Sequence, residues 1–402
     1  MARFVGTCSV CLSECEASET VSLRCGHEFC VACLKGMAQH EHTRCPTCRQ
    51  PHQLDPSELK QAFEKYRSDY RSWRSGGAKG CAGEVEKVSS PPKTKTTTTA
   101  ETTPDEGKKI AEQCKDVAAF RDYSVPHERQ DVVTRHYRLM RQHQTVDFVA
   151  RMAEKYSFRD GRYRALMTIR EAFDTLEDYV DSSDPDLGLP NVIHGLQTAE
   201  AIRKAGHPDW FVLTGLIHDL GKIMFLWGAE ADGQKGTADG DQWALGGDTF
   251  VVGCELPQGP ARPGIVFPEF SALNPDMKDP RYNTTLGVYE RNCGLDTLKF
   301  AYGHDEYLYQ MLKANQDNPA AKEKLPDHAL AMVRYHSAYP WHTARVYDHF
   351  MQPQDFDTLN WVLAFNNFDL YTKDEANALS LDDLWPYYQT LIDKYLPGQL
   401  KW

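Results

Sequence analysis

No stretch of the chain comes near the roughly 20 consecutive apolar residues that a membrane span needs, and no basic-then-apolar leader follows Met1. The expectation is therefore a cytoplasmic protein with no membrane partner. Basic charge is also in deficit, with 45 Lys and Arg against 57 Asp and Glu and a net charge of −12. Residues 1–52 carry five basic and five acidic side chains and 53–110 carry eleven and nine, so the remainder stands at −14. A surface of that sign repels phosphate backbones, which argues against nucleic acid as a partner. Cysteine is sparse beyond residue 50: eight of the twelve precede it and the other four are scattered. Such clustering, without a secretion signal, excludes a disulfide framework and favours metal ligation. Internal repeats are absent as well.

Three regions follow from composition. Residues 1–52 are compact and cysteine-rich. Residues 53–109 hold one amphipathic helix, Leu59–Trp73, and then a Gly-, Pro-, Thr- and Lys-bearing stretch, Ser75–Lys109, that has almost nothing to bury and reads as a flexible linker. Residues 110–402 have the composition of one packed domain. Helical periodicity marks Arg135–Ala153, Thr168–Tyr179, Gly195–Lys204, Asp209–Leu226, Asp305–Ala314, Ala329–Tyr335 and Asp383–Tyr395, with a minor hairpin at Trp243–Val252. Runs of helices without alternating strands predict a mainly α architecture.

The first region presents Cys8, Cys11, Cys25, His27, Cys30, Cys33, Cys45 and Cys48. Eight such ligands make two closed tetrahedral zinc sites, and metal binding supplies much of the folding free energy of so short a segment. Their order and spacing resemble a RING finger. By that resemblance Cys8, Cys11, Cys30 and Cys33 hold one zinc, while Cys25, His27, Cys45 and Cys48 hold the other. Val10, Pro46 and Arg49 stand where RING modules engage a ubiquitin-conjugating enzyme, though Leu34–Arg44 lacks the tryptophan many of them carry. A zinc fold used only for docking is the plainer reading.

The large domain carries a sparse set of His and Asp residues. His218 and Asp219 are adjacent in Leu213–Met224, and on a continuous helix Lys222 would share a face with His218. A His-Asp pair alone marks the broad HD superfamily of helical metal enzymes, most of which hydrolyse phosphate esters. The surrounding blocks, DSSDPDLGLPNVIHGLQTAEAIR, DWFVLTGLIHDLGK, WALGGDTFVVGC, YGHDEYLYQ, RYHSAYPWHT and FNNFDLYTK, narrow this. Together, in order from Phe120 to Trp402, they resemble myo-inositol oxygenase. The resemblance implies an HD-domain-like helical bundle that opens the myo-inositol ring with O2 to give D-glucuronate at a mixed-valent pair of irons. It further implies that His194, His218 and Asp369 hold one iron, His304 and His336 hold the other, and Asp219 bridges them. Imidazole and carboxylate ligands suit iron, and a bridged set this small leaves positions open.

Substrate contacts implied by the same resemblance fall on Arg121, Asp181, Ser183, Lys222, Gly247, Asp248, His336, Ser337 and Lys373. A ring hexol needs donors and acceptors of both kinds, which these residues supply. A lysine beside a metal-acidified hydroxyl can take or stabilise its proton, so Lys222 and Asp219 are the catalytic candidates, with Lys373 second to Lys222. Departures from the family are Asp122 for its asparagine, Val251 for its proline, and an extra loop, Gly228–Asp241. Of the other histidines, His127, His136, His143, His207, His328 and His349 read as surface or core residues, and His342 is the one competing ligand. Two further readings stay open: a phosphohydrolase, which the acidic side chains near the site disfavour, and a ubiquitin ligase or scaffold whose oxygenase fold serves as a sensor.

Overall fold

The computed structural model describes the backbone of residues 5–7, 14–16, 20–22 and 28–30, and residues 129–183, 190–237, 240–369 and 380–402. The expected helix Leu59–Trp73, the linker Ser75–Lys109, Arg121, Lys373 and the side chains of all eight zinc-ligand candidates lie outside them. The chain divides into two compact units, Met1–Thr98 and Thr99–Trp402. In the first, β1 (Val5–Thr7) pairs antiparallel with β2 (Glu14–Glu16), and β3 (Thr20–Ser22) pairs with β4 (Glu28–Cys30), Thr20 opposite Cys30.

The second unit is mainly helical, as expected. Its helices are α1 (Gln130–His143), α2 (Val146–Lys155), α3 (Ile169–Thr175), α4 (Asn191–Lys204), α5 (Asp209–Ile217), α6 (His304–Asn315), α7 (Asp327–Tyr335), α8 (Tyr339–His342), α9 (Asp355–Asp369) and α10 (Leu381–Tyr395). Two small ladders join distant parts: β5 (Leu166–Met167) with β8 (Leu400–Lys401), and β6 (Val251–Val252) with β7 (Lys299–Phe300).

Local chemistry explains where the expected boundaries shift. The single helix expected over Arg135–Ala153 is two, because Thr145 caps α2 by accepting from the Phe148 amide at 3.1 Å and so ends α1 before it. Thr168 and Glu171 form a reciprocal capping box at the start of α3. The hairpin expected within Trp243–Val252 does not form; Val251–Val252 pairs with Lys299–Phe300 instead. Helix α9 gave no periodic signal because Leu359, Trp361, Val362, Ala364, Phe365 and Asn366 are all buried, leaving no polar stripe to contrast with an apolar one.

The segment Asp209–Trp227 corrects two expectations. It is 19 residues long with a mean hydropathy of 1.2, enough by length and composition to cross a membrane, yet 83% of its most apolar stretch is buried inside the domain. It is also not one helix. The α-helix stops at Ile217 and a 3-10 segment runs from Leu220 to Trp227. Close approach sets its position: a Cβ on Gly221 would stand 2.1 Å from the His304 carbonyl oxygen, and one on Gly195 would stand 2.7 Å from that of Leu216. Only glycine lets the backbones of α4, α5 and α6 come this near.

Two histidines outside the cluster are buried as neutral rings. His136 contacts the Ser182 hydroxyl at 2.8 Å and donates to the Gly246 carbonyl at 3.3 Å, and burial lowers its pKa to about 4. His342 donates to the His336 carbonyl at 3.0 Å, and burial likewise lowers it to about 4. That bond makes His342 a packing residue, not a ligand. The unfolded chain protonates both near 6.5 and the folded chain only near 4. Stability is therefore full above 6.5 and is lost as pH falls through this window, by on the order of 3 kcal/mol per ring. Denaturant titrations between pH 7 and 4.5 should show this loss, and His136→Gln, which keeps a donor and an acceptor, should flatten part of it. An unchanged slope in the variant would remove His136 from the account.

Candidate metal centre

Five parts of the fold deliver six side chains to one cleft. His194 comes from α4, His218 and Asp219 from the junction between α5 and the 3-10 segment, His304 from the first position of α6, His336 from the C-terminal end of α7, and Asp369 from the last position of α9. The ligand atoms of His194, His218 and Asp219 lie within 4.8 Å of one another, and so do those of Asp219, His304 and His336. Asp219 belongs to both groups. Its Oδ1 lies 3.0 Å from His304 Nε2 and 3.6 Å from His336 Nε2, and its Oδ2 lies 3.6 Å from His218 Nε2. Asp369 Oδ1 lies 2.8 Å from His194 Nε2 and 3.2 Å from His218 Nε2.

Three of the rings are oriented by the backbone. The Nδ1 of His218 bonds to the Gly215 carbonyl at 2.9 Å, that of His336 to the Val333 carbonyl at 2.9 Å, and that of His304 to the Leu245 carbonyl at 2.6 Å. Each carbonyl fixes the tautomer with hydrogen on Nδ1, so the Nε2 lone pairs point into the cleft. As a result His304 Nε2 and His336 Nε2 face each other at 3.1 Å. Two lone pairs so arranged repel unless a proton or a metal cation stands between them. For His304, burial works against the charged ring, but the Asp305 and Asp219 carboxylates raise its pKa to about 10. Asp219 is held well below the ordinary carboxylate range: burial opposes this, and the Lys222 ammonium and His218 outweigh it. The donor set therefore fits a pair of divalent or trivalent ions bound by nitrogen and oxygen.

Lys222 does not share a face with His218, because the chain has tightened to 3-10 geometry, in which positions i and i+3 eclipse. Its Nζ instead donates to Asp219 Oδ2, to Asp181 Oδ2 and to Asn191 Oδ1, each at 2.8 Å. Burial disfavours the ammonium, yet the two carboxylates hold its pKa above the ordinary value, so Lys222 rests as a donor. Asp181, Ser183, Lys222, Gly247, His336 and Ser337 line the cleft. Asp248 does not line it; its carboxylate accepts from Tyr137 Oη at 3.1 Å.

Gln242, which the sequence reading passed over, holds the segment bearing Asp181 and Ser183. Its Oε1 accepts from Tyr179 Oη and the Ser182 amide, both at 3.0 Å, and its Nε2 donates to the Val180 and Thr237 carbonyls at 3.2 and 3.1 Å. Thr237 lies in the loop Gly228–Asp241, which is tied to α1 by Arg135–Asp241 at 2.8 Å and to α2 by Arg151–Asp232 at 2.7 Å. Asn191 and Asp305 were also missed. Both had a signal: Asn191 stands one helical turn before His194, and His304-Asp305 repeats the pattern of His218-Asp219.

Residues 130–402 match the family model described as myo-inositol oxygenase. This chain belongs to the myo-inositol oxygenase family. It is 49% identical over 294 residues to the inositol oxygenase of Rattus norvegicus, covering 72% of this chain and 93% of that protein. Against the inositol oxygenase of Homo sapiens the identity is 48% over the same length, and against that of Dictyostelium discoideum it is 40% over 312 residues, 98% of that protein. Residues 6–49 match the ring finger domain model, so the chain joins an N-terminal RING domain to an oxidoreductase domain of this family.

The shared carboxylate gives a direct expectation for metal content. Replacing Asp219 by Asn should abolish retention of both ions, whereas Asp369→Asn should cost only the ion on the His194 and His218 side. Elemental analysis of the purified full chain, with zinc measured alongside iron, reads both. Equal losses in the two variants would contradict the sharing.

Proposed function

We propose that this chain cleaves the ring of myo-inositol with O2 at a di-iron centre, yielding D-glucuronate. The observation that carries the reading is Asp219, within ligand distance of both histidine groups and hydrogen-bonded to Lys222. The relatives are named for inositol oxygenation, and the donor set is one that iron favours. In atoms, the hexol and O2 give the uronic acid and one water.

Bound iron supplies one-electron chemistry with O2 and makes a coordinated hydroxyl acidic. The chain's own residues do the rest. Asp181 and Ser183 on one wall and Ser337 on another offer acceptors and donors to the ring hydroxyls, and burial keeps bulk water away. Lys222 Nζ stands beside the bridging carboxylate as a fixed donor, placed to stabilise the oxygen of a hydroxyl that has lost its proton. Arg121 and Lys373 complete the proposed substrate set, and His304 and His336 hold the iron opposite His194, His218 and Asp369.

In the same reading residues 1–52 bind two zinc ions and recruit a ubiquitin-conjugating enzyme, 53–109 link the modules, and 110–402 form the catalytic domain of a cytoplasmic protein. Reduced, iron-loaded full chain incubated with myo-inositol and O2 should accumulate glucuronate. Lys222→Met should lower kcat by about 10²–10³-fold, the scale of losing one fixed donor, with iron content unchanged. Absence of product from iron-loaded protein would overturn the assignment. His218→Ala should abolish ring cleavage and leave zinc-dependent autoubiquitination intact; loss of both would show that the modules are not independent.

A further inference from the structure

Asp305 is the second carboxylate on the His304 and His336 side of the cleft. It is 2% exposed, and its Oδ1 lies 2.8 Å from His304 Nε2, 3.9 Å from His336 Nε2 and 3.3 Å from Ser337 Oγ. Its Oδ2 is buried with no hydrogen-bond partner. A carboxylate taken out of water in this way is strongly disfavoured unless a cation or a set of donors answers it. The donor beside it is the Ser337 hydroxyl, and the His304 Nε2, which also faces Asp219 and His336, is the atom a cation would share with it.

Charge is uneven across the two groups. His194 and His218 have Asp369 to themselves and share Asp219, whereas His304 and His336 have only the shared carboxylate unless Asp305 joins them. A plainer role exists, since Asp305 lies in the first turn of α6, where negative charge favours the helix dipole. That interaction is weak, and it is equally available to Glu306 in the same turn, which is half-buried and paired with Arg334 at 2.7 Å. It gives no reason to bury the group against two imidazoles.

We infer that Asp305 is a further carboxylate of the metal centre, retaining the ion on the His304 and His336 side either as a direct ligand or through a bound water. The inference rests on the di-iron reading and concerns metal retention, so its test needs no substrate. Full-length chain is loaded anaerobically with ferrous ion, desalted and measured for iron, with circular dichroism and thermal unfolding as checks on folding. Wild type should retain the pair of irons, and Asp305→Asn, which has the same shape without the charge, should retain one. Asp305→Glu should restore part of the second. Glu306→Gln, which removes an equal charge from the same turn, should retain both. Iron retention in Asp305→Asn equal to wild type, or an equal loss in Glu306→Gln, would overturn the inference. A wild type that holds no iron would instead sink the di-iron reading itself. If Asp305→Asn does not fold, iron titration of Ser337→Ala serves: weakened binding of the second ion supports the network, and unchanged binding counts against it.

Discussion

The buried carboxylate of Asp219 faces imidazole nitrogens on two sides and an ammonium on a third, and the arrangement around it depends on that convergence of charge. Four acidic or basic side chains at this centre, Asp219, Lys222, Asp305 and Asp369, are buried beside the apolar core, and Asp181 joins them half-buried. Taken singly, each would oppose folding; taken together, they neutralise one another in part and leave a strong preference for added cations. A purely apolar core of the same volume would be easier to form. The retained cost is the physical signature of a site in use.

The backbone prepares this charge cluster by one repeated device. His218 ends α5 and His336 ends α7, and in each the ring donates to a carbonyl three residues back, Gly215 or Val333. A helix terminus has carbonyls without intrahelical partners, so a histidine placed there satisfies one of them and turns its other nitrogen outward. His304 begins α6 and has no such carbonyl in its own helix, and the Leu245 carbonyl supplies it instead. The loop that brings in Leu245 also carries Gln242 and Gly247, so ligand orientation and the substrate wall are set by one segment.

The ligands were legible because their chemistry is rare: few histidines and aspartates sit amid apolar text, in blocks that resemble a known family. Their relations were less so. Lys222 was assigned the right neighbourhood through the wrong geometry, since periodicity assumed a continuous α-helix where the chain changes pitch after Ile217. Helix α9 left no stripe, and the two-residue ladders were beyond any local signal because their partners lie far away in the chain. The segment Asp209–Trp227 interrupts its apolar residues with Asp209, His218, Asp219 and Lys222, so it was not read as a span, and it lies largely buried inside the domain.

Composition and spacing by themselves determined a helical domain with candidate metal ligands preceded by a cysteine-rich module, because residue type limits which ions can be held and burial pattern limits which elements can form. The oxidoreductase reading came from the resemblance of whole blocks of sequence to a known family. Only the tertiary structure decided that Asp219 lies against both histidine groups, that Lys222 is locked between two carboxylates, that His342 packs where it could have ligated, and that the Asp305 carboxylate lies beside His304. These are facts of distance between residues far apart in the chain, and a linear pattern carries no information about which lone pairs end up facing one another.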